Sequence, residues 1–259
     1  MFGAFFLANV MSALMTQLGG LTDSIVVAHL VSPDALSVVR IWIPIESIMF
    51  IIIGIMGAGA DFLSARGIGA QNYDKVNRVF NNHLYYVIFS TLLVIGLVLP
   101  FLDEVAGMLT SDERLLPMLK PYIHADMSAI FIGAITGVPI SYIIINGSPN
   151  LITRYIIISQ ILNAGFDLLL CGVFDMGIAG AAYATAIGNL LAFTSLTGYM
   201  RKNSKIFGLK HPEKICSIKQ YRECFSIGLP MLISAFLEPA IAFTMNSLVV
   251  DKLGVDGMY

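Results

Sequence analysis

Five carboxylates stand inside runs of apolar residues: Asp23, Glu46, Asp126, Asp167 and Glu238. Moving an ionised carboxylate out of water is costly unless it is paired or coordinated. Acids in such positions mark ion or proton paths by default. Asn163 and Asp167 are four residues apart, so on a helix they share a face and set an amide beside a carboxylate. With Asp23 opposite them, the group suits a proton or a Na⁺ ion, which takes several oxygen ligands at once. Those oxygens would come from Asp23, Asn163 and Asp167, with Thr22 or Ser24 in reach. Gln17, Thr22, Glu46, Asp126 and Asn246 are expected to line the same pocket. Asp61, Asn189 and Arg40 read instead as groups that hydrogen-bond helices together.

The elements that hold these residues must cross a membrane. Hydrophobic residues make up 57% of the 259 and charged residues 12%, and the mean hydropathy is +0.80. A soluble domain carries about a quarter charged residues, so the composition is that of an integral membrane protein. A span needs about 20 apolar residues, and seven stretches qualify: 4–30, 38–62, 80–101, 121–145, 151–171, 178–199 and 225–250. Pro44, Pro139 and Pro239 should kink the second, fourth and seventh, whereas Gly19-Gly20 is the obvious bending point of the first. Residues 2–10 show no basic region or cleavage site, so no secretory leader is expected. Three cysteines and four histidines are scattered, which points to neither a disulfide framework nor a zinc site.

Eleven of the fifteen Lys and Arg residues fall in the loops after the second, fourth and sixth spans. That bias predicts a cytoplasmic N-terminus and a first span that runs outward. The basic stretch 201–224 is then a cytoplasmic loop, able to touch anionic lipid heads. Counted from the helix ends, Asp23 and Asp167 lie roughly 10 Å below the outer surface at 1.5 Å per residue. Glu46 and Asp126 come to a similar level. Four acids from four spans at one depth imply a hydrated pocket in the outer half of the bundle.

The stretch around Asp23 recurs near the far end of the chain. Asn246, Ser247, Val249, Val250 and Leu253 follow the spacing of Asp23, Ser24, Val26, Val27 and Leu30. A repeat about 220 residues long fits a carrier built from two related halves. The expected organisation is a six-helix lobe over 1–200, the inter-lobe loop over 201–224, and the first helix of a second lobe over 225–259. On this reading the chain is a fragment of a protein about twice as long.

Several of these stretches together resemble the multidrug and toxic compound extrusion (MATE) family. They are Gln17–Ile25, Ser64–Arg78, Asn146–Pro149, the Asn163 and Asp167 pair, Gly177–Thr185, and Gly228–Pro230 with Glu238. The resemblance implies an all-helical carrier of twelve spans in two six-helix lobes, in the cell membrane. Its implied activity is export of drugs and small organic cations in exchange for H⁺ or Na⁺, with no cofactor, no catalysed reaction and no nucleic-acid partner. By the same resemblance, Asp23, Asn163 and Asp167 form the first-lobe cation and substrate site, and Glu238 contributes to the second. Arg40 and Glu46 are charged where the family pattern is expected to be apolar, and the first span lacks a proline.

Other readings fare worse. A related two-lobe flippase of lipid-linked saccharides should carry cationic groups for pyrophosphate, yet the intramembrane charges here are nearly all acidic. An intramembrane aspartyl protease needs two acids that share a proton, whereas Asp61 and Asp167 should lie toward opposite faces. A seven-helix receptor needs no internal repeat.

Overall fold

The computed structural model describes residues 10, 14, 18–203, 218–230 and 233. Its elements are α1 (Leu18–Val31), α2 (Pro33–Gly69), α3 (Tyr73–Leu109), α4 (Leu116–Ile145), α5 (Pro149–Val173), α6 (Gly177–Asn203) and a helix over 218–230, α7. Helices α2 to α6 are each long and apolar enough to cross a membrane. The chain is therefore a multi-pass helical membrane protein. Less than half of each spanning window is buried inside the bundle, and the outward residues include Phe89, Leu92, Leu93, Ile158 and Ile161. Apolar side chains on the outside are what a lipid environment selects.

Short polar turns reverse the chain between helices. Extended Ser32 caps α2 by accepting from the Ala35 amide at 3.0 Å, with Pro33 in the first turn. That position has no intrahelical donor to lose. Asn72 caps α3 through the Lys75 amide at 3.1 Å. At the end of α4, Gly147 takes φ +88° while Ser148 N–H bonds Ile143 O and Gly147 N–H bonds Ile144 O. These are the two bonds of a Schellman motif, which needs a left-handed residue at that place. Pro100 replaces an α-turn of α3 by the 3₁₀ turn Leu99–Phe101 before the helix resumes over Leu102–Leu109. The α-helical assignment of α2 runs unbroken through Pro44, and that of α4 through Pro139.

Helix α4 sits at the centre, against α2, α3, α5 and α6. Its buried Leu119, Ile123, Met127, Ile130 and Tyr142 form the core with Trp42 and Met49 of α2. The facing surface of α6 is made of buried Ala181, Ala182, Ala184 and Ala186. Lipid tails are as apolar as leucine, so close packing of small residues is what holds such helices together. Helix α7 lies on α2 and α3 through Met56, Leu63, Val79 and Cys224, with Tyr86 edge-on to Phe225 at 5.3 Å.

Two details depart from the sequence expectation. Gly19-Gly20 sits in regular α-helix, and the irregular part of α1 is a π-helical turn over Val27–Val31. A second π turn, Leu168–Val173, ends α5, and the two pack against each other. The helix that becomes α7 is already formed at residue 218, inside the stretch read as loop. Most of the stretch read as the seventh span, and the first residues of the chain, lie outside the described residues.

Candidate functional site

Asp23 lies in α1 two turns before its end, and Asn163 and Asp167 lie one turn apart in α5. Asn163 Nδ2 donates to Asp23 Oδ1 at 3.0 Å and to Asp167 Oδ2 at 3.3 Å. The one amide thus bridges the Asp23 and Asp167 carboxyls. Asp167 is 1% exposed and Asn163 7%, and Asp167 Oδ1 is buried without a partner. Each π turn begins at the site: one starts four residues after Asp23, the other directly after Asp167. π turns frequently occur at functional positions.

A second acidic pair shares with Asp23 a cavity of about 330 Å³ between α1, α2, α4 and α6. Trp42 Nε1 donates to Asp126 Oδ2 at 2.7 Å inside the bundle, and the Glu46 carboxyl feels the charge of Asp126. Asp23, Glu46, Tyr122, Asp126 and Thr185 line this cavity. Glu46 and Asp126 are thus pocket residues within the bundle rather than groups at its rim.

Thr22 does not join them. It is exposed and donates its hydroxyl to Leu18 O at 2.9 Å, because helical residues next to Asp23 point to other faces. Ser24 does line the cavity, with its hydroxyl on Gly20 O at 2.8 Å. Gln17, Glu238 and Asn246 lie outside the described residues. Among the described residues no group of three or more His, Cys, Asp and Glu is gathered as a metal site. Trp42 and Tyr122 were not foreseen from the sequence, although each stands four residues before a predicted acid, Glu46 and Asp126 respectively. That spacing puts both on the acid's own face.

Comparison with known proteins agrees with this architecture. A family model, MatE, matches residues 9–169. The multidrug export protein MepA of Staphylococcus aureus is 25% identical over 249 residues, covering 93% of this chain and 54% of its own length. MepA of Staphylococcus haemolyticus is 24% identical over 251 residues, with the same coverage. The chain spans about half the length of the curated relatives it matches. Among solved structures, a transporter of the MOP superfamily from Pyrococcus furiosus aligns with TM-score 0.86 at 19% identity, over 97% of this chain and 56% of that one. The Vibrio cholerae MATE transporter VcmN in its bent form aligns with TM-score 0.85 at 18% identity, over 96% and 56%. With its model matched across more than half of the residues and its fold shared with these transporters, the chain belongs to the multidrug and toxic compound extrusion family.

Proposed function

We propose that the chain forms the first six-helix lobe, with the opening helix of the second, of a twelve-span secondary antiporter. The antiporter exports amphiphilic or cationic compounds from the cell, in exchange for H⁺ or Na⁺. Its N-terminus is cytoplasmic, so the pocket at Asp23 lies in the outer half of the cell membrane. Residues 1–200 are the first lobe, 201–224 the link, and 225–259 the start of the second lobe, whose site would include Glu238.

The observation that carries this reading is the Asp23–Asn163–Asp167 cluster with its unpartnered Asp167 Oδ1. A buried oxygen without a donor is costly, and an incoming proton or Na⁺ satisfies it. A Na⁺ ion would draw on Asp23, Asp167, the Asn163 carbonyl and water oxygens, in keeping with its taste for oxygen ligands. Glu46 and Asp126 add negative charge to the same cavity and favour a cationic cargo. Cation binding at Asp23 and Asp167 neutralises the wall that holds the cargo. That difference in interaction is what moves an alternating-access equilibrium.

The test uses the complete open reading frame in membrane vesicles, with efflux of a fluorescent organic cation followed under an imposed pH or Na⁺ gradient. Asp167→Asn should slow gradient-driven efflux by about tenfold or more, the scale of one lost charge-assisted hydrogen bond. The gradient that works names the ion. Efflux unchanged in both Asp23→Asn and Asp167→Asn would refute the assignment.

A further inference from the structure

Glu46 and Asp126 wall the cavity at Asp23 from α2 and α4, yet the exchange cluster does not use them. Asn163 bridges Asp23 and Asp167 and touches neither of the other two acids. The Asp126 side chain is 6% exposed. Its Oδ2 takes the 2.7 Å bond from Trp42 Nε1, and its Oδ1 has no hydrogen-bond donor among the described residues. Glu46 is half-buried and feels the charge of Asp126. Its carboxyl makes no hydrogen bond among the described residues.

No counterion comes from the surrounding helices. The polar groups on the cavity wall are Asp23 and Ser24 of α1, Tyr122 of α4 beside Asp126, and Thr185 of α6. No Lys, Arg or His is among the described lining residues. The ion pairs among the described residues lie elsewhere, at Arg114–Asp112 and Lys120–Asp103. Arg40, the basic residue nearest to Glu46 along α2, is exposed. The charges of Asp126, Glu46 and Asp23 all reach Tyr122, which places the three acids around one space.

A buried carboxylate without a counterion is costly, and a second one that feels the first adds repulsion. One proton on the pair relieves both and leaves a single negative charge. Trp42 decides which acid keeps that charge. An indole N–H donates and cannot accept, so its bond favours the ionised form of Asp126 and leaves the proton to Glu46. Trp42 stands one turn before Glu46, so the same stretch of α2 supplies both the proton carrier and the donor that fixes its partner. Helix packing gives no reason for Glu46, because a carboxyl that bridges helices does so by hydrogen bonds. The cavity of about 330 Å³ has room for several waters at about 30 Å³ each, through which a proton can come and go.

We propose that Glu46 carries a second proton in each exchange cycle, apart from the cation at Asp23, Asn163 and Asp167, with Asp126 as its charge partner and Trp42 holding Asp126 ionised. The inference rests on the antiport reading and adds a count to it. In the outward-facing state Glu46 takes a proton from external water. In the inward-facing state the cationic cargo stabilises both carboxylates, and the proton leaves Glu46 for cytoplasmic water. One O–H bond forms and later breaks, and no other group changes.

The test counts protons with the full-length protein in liposomes, with the membrane potential clamped at zero and Na⁺ equal on both sides. The probe is ethidium, whose fixed charge brings no proton of its own. At each imposed pH difference, the ethidium ratio that stops net movement is found by bracketing. Each proton exchanged per ethidium makes that ratio change about tenfold per pH unit. The parent's ratio should therefore be steeper than that of Glu46→Gln by about tenfold per pH unit, whether H⁺ or Na⁺ occupies the site at Asp23. Asp126→Asn should fall to the shallower slope too, because the carboxyl left behind loses the like charge that made it hold a proton. It leaves Trp42 an acceptor, so it remains informative if Glu46→Gln misfolds. The balance point is an equilibrium, so a variant that is only slower reaches the parent's value. A slope equal to the parent's in either variant would overturn the proposal and leave the antiporter standing. No ethidium movement in the parent under a pH or a Na⁺ gradient would instead refute the antiport reading, and the second proton with it.

Discussion

Trp42 and Asp126 are both buried, and the 2.7 Å bond between them gives the Asp126 carboxyl its indole donor. Trp42→Phe removes that donor, leaves a carboxylate oxygen inside the bundle, and should cost about 1.5–3 kcal/mol. Asp126→Asn keeps an acceptor for the indole and should cost less. Thermal unfolding in detergent compares the two, and equal losses would show that the bond contributes little. Solvated pairs should behave differently. Arg114 binds Asp112 at 2.7 Å in the exposed α3–α4 turn and holds its carboxyl down to about 2. The contribution of that pair is complete above the ordinary carboxylate value, fades as pH falls below it, and is gone under about 2. Salt screens it, so Asp112→Asn should leave the melting temperature unchanged in 0.5 M NaCl, a concentration of about half-molar order where the Debye length is only a few Å. At this scale the sequence was legible wherever an acid interrupted an apolar run. Asp23, Asn163 and Asp167 stood out for that reason. The cavity lined by Asp61 and His83 was not legible, because its walls come from helices distant in sequence.

The contact between α2 and α7 rests on two glycines. Gly59 and Gly228 leave no room for a methyl group, because the obstructing atoms are backbone. Gly228→Ala and Gly59→Ala should each cost about 1–3 kcal/mol, the usual penalty for overpacking a site that cannot relax. Gly96→Ala in α3 meets no atom of the described residues within 4 Å and should be neutral or mildly stabilising, since alanine is the better helix former. Thermal unfolding of the three variants gives the comparison. Equal effects would mean that α7 does not press on α2. Helix ends were harder to foresee than helix centres. The α2 helix begins at Pro33 and ends at Gly69, well beyond the apolar stretch 38–62. Caps such as Ser32 and Schellman turns such as Gly147 fix ends by hydrogen bonding rather than by hydropathy.

For the molecule as a whole, alternation of spans and turns was readable from composition, and packing order was not. That α4 occupies the centre follows from burial of its Leu119, Ile123, Met127 and Tyr142, whereas its sequence is apolar on all sides. A helix that is apolar all round reads the same in lipid and in a core. Along α2 the cavity walled by Asp23, Glu46 and Asp126 gives way after one helical turn to a second, more open one lined by Phe50, Gly54 and Asp61.

The paired π turns have a mechanical consequence. A π turn holds one residue more than the α-helix around it requires. Converting either turn to α-helix would move the segment beyond it by about 1.5 Å and 100°, without unwinding the rest of the helix. Asp23 and Asp167 stand just before these turns, so conversion would rotate each acid relative to the loop that follows its helix. Leu30 of one turn lies against Gly172 of the other, and slack taken up by one is therefore felt by its neighbour. Amide exchange at residues 27–32 and 168–176 should outpace that of the preceding turns of α1 and α5. Uniformly slow exchange would instead make the two turns rigid spacers, with the acids held at a fixed angle.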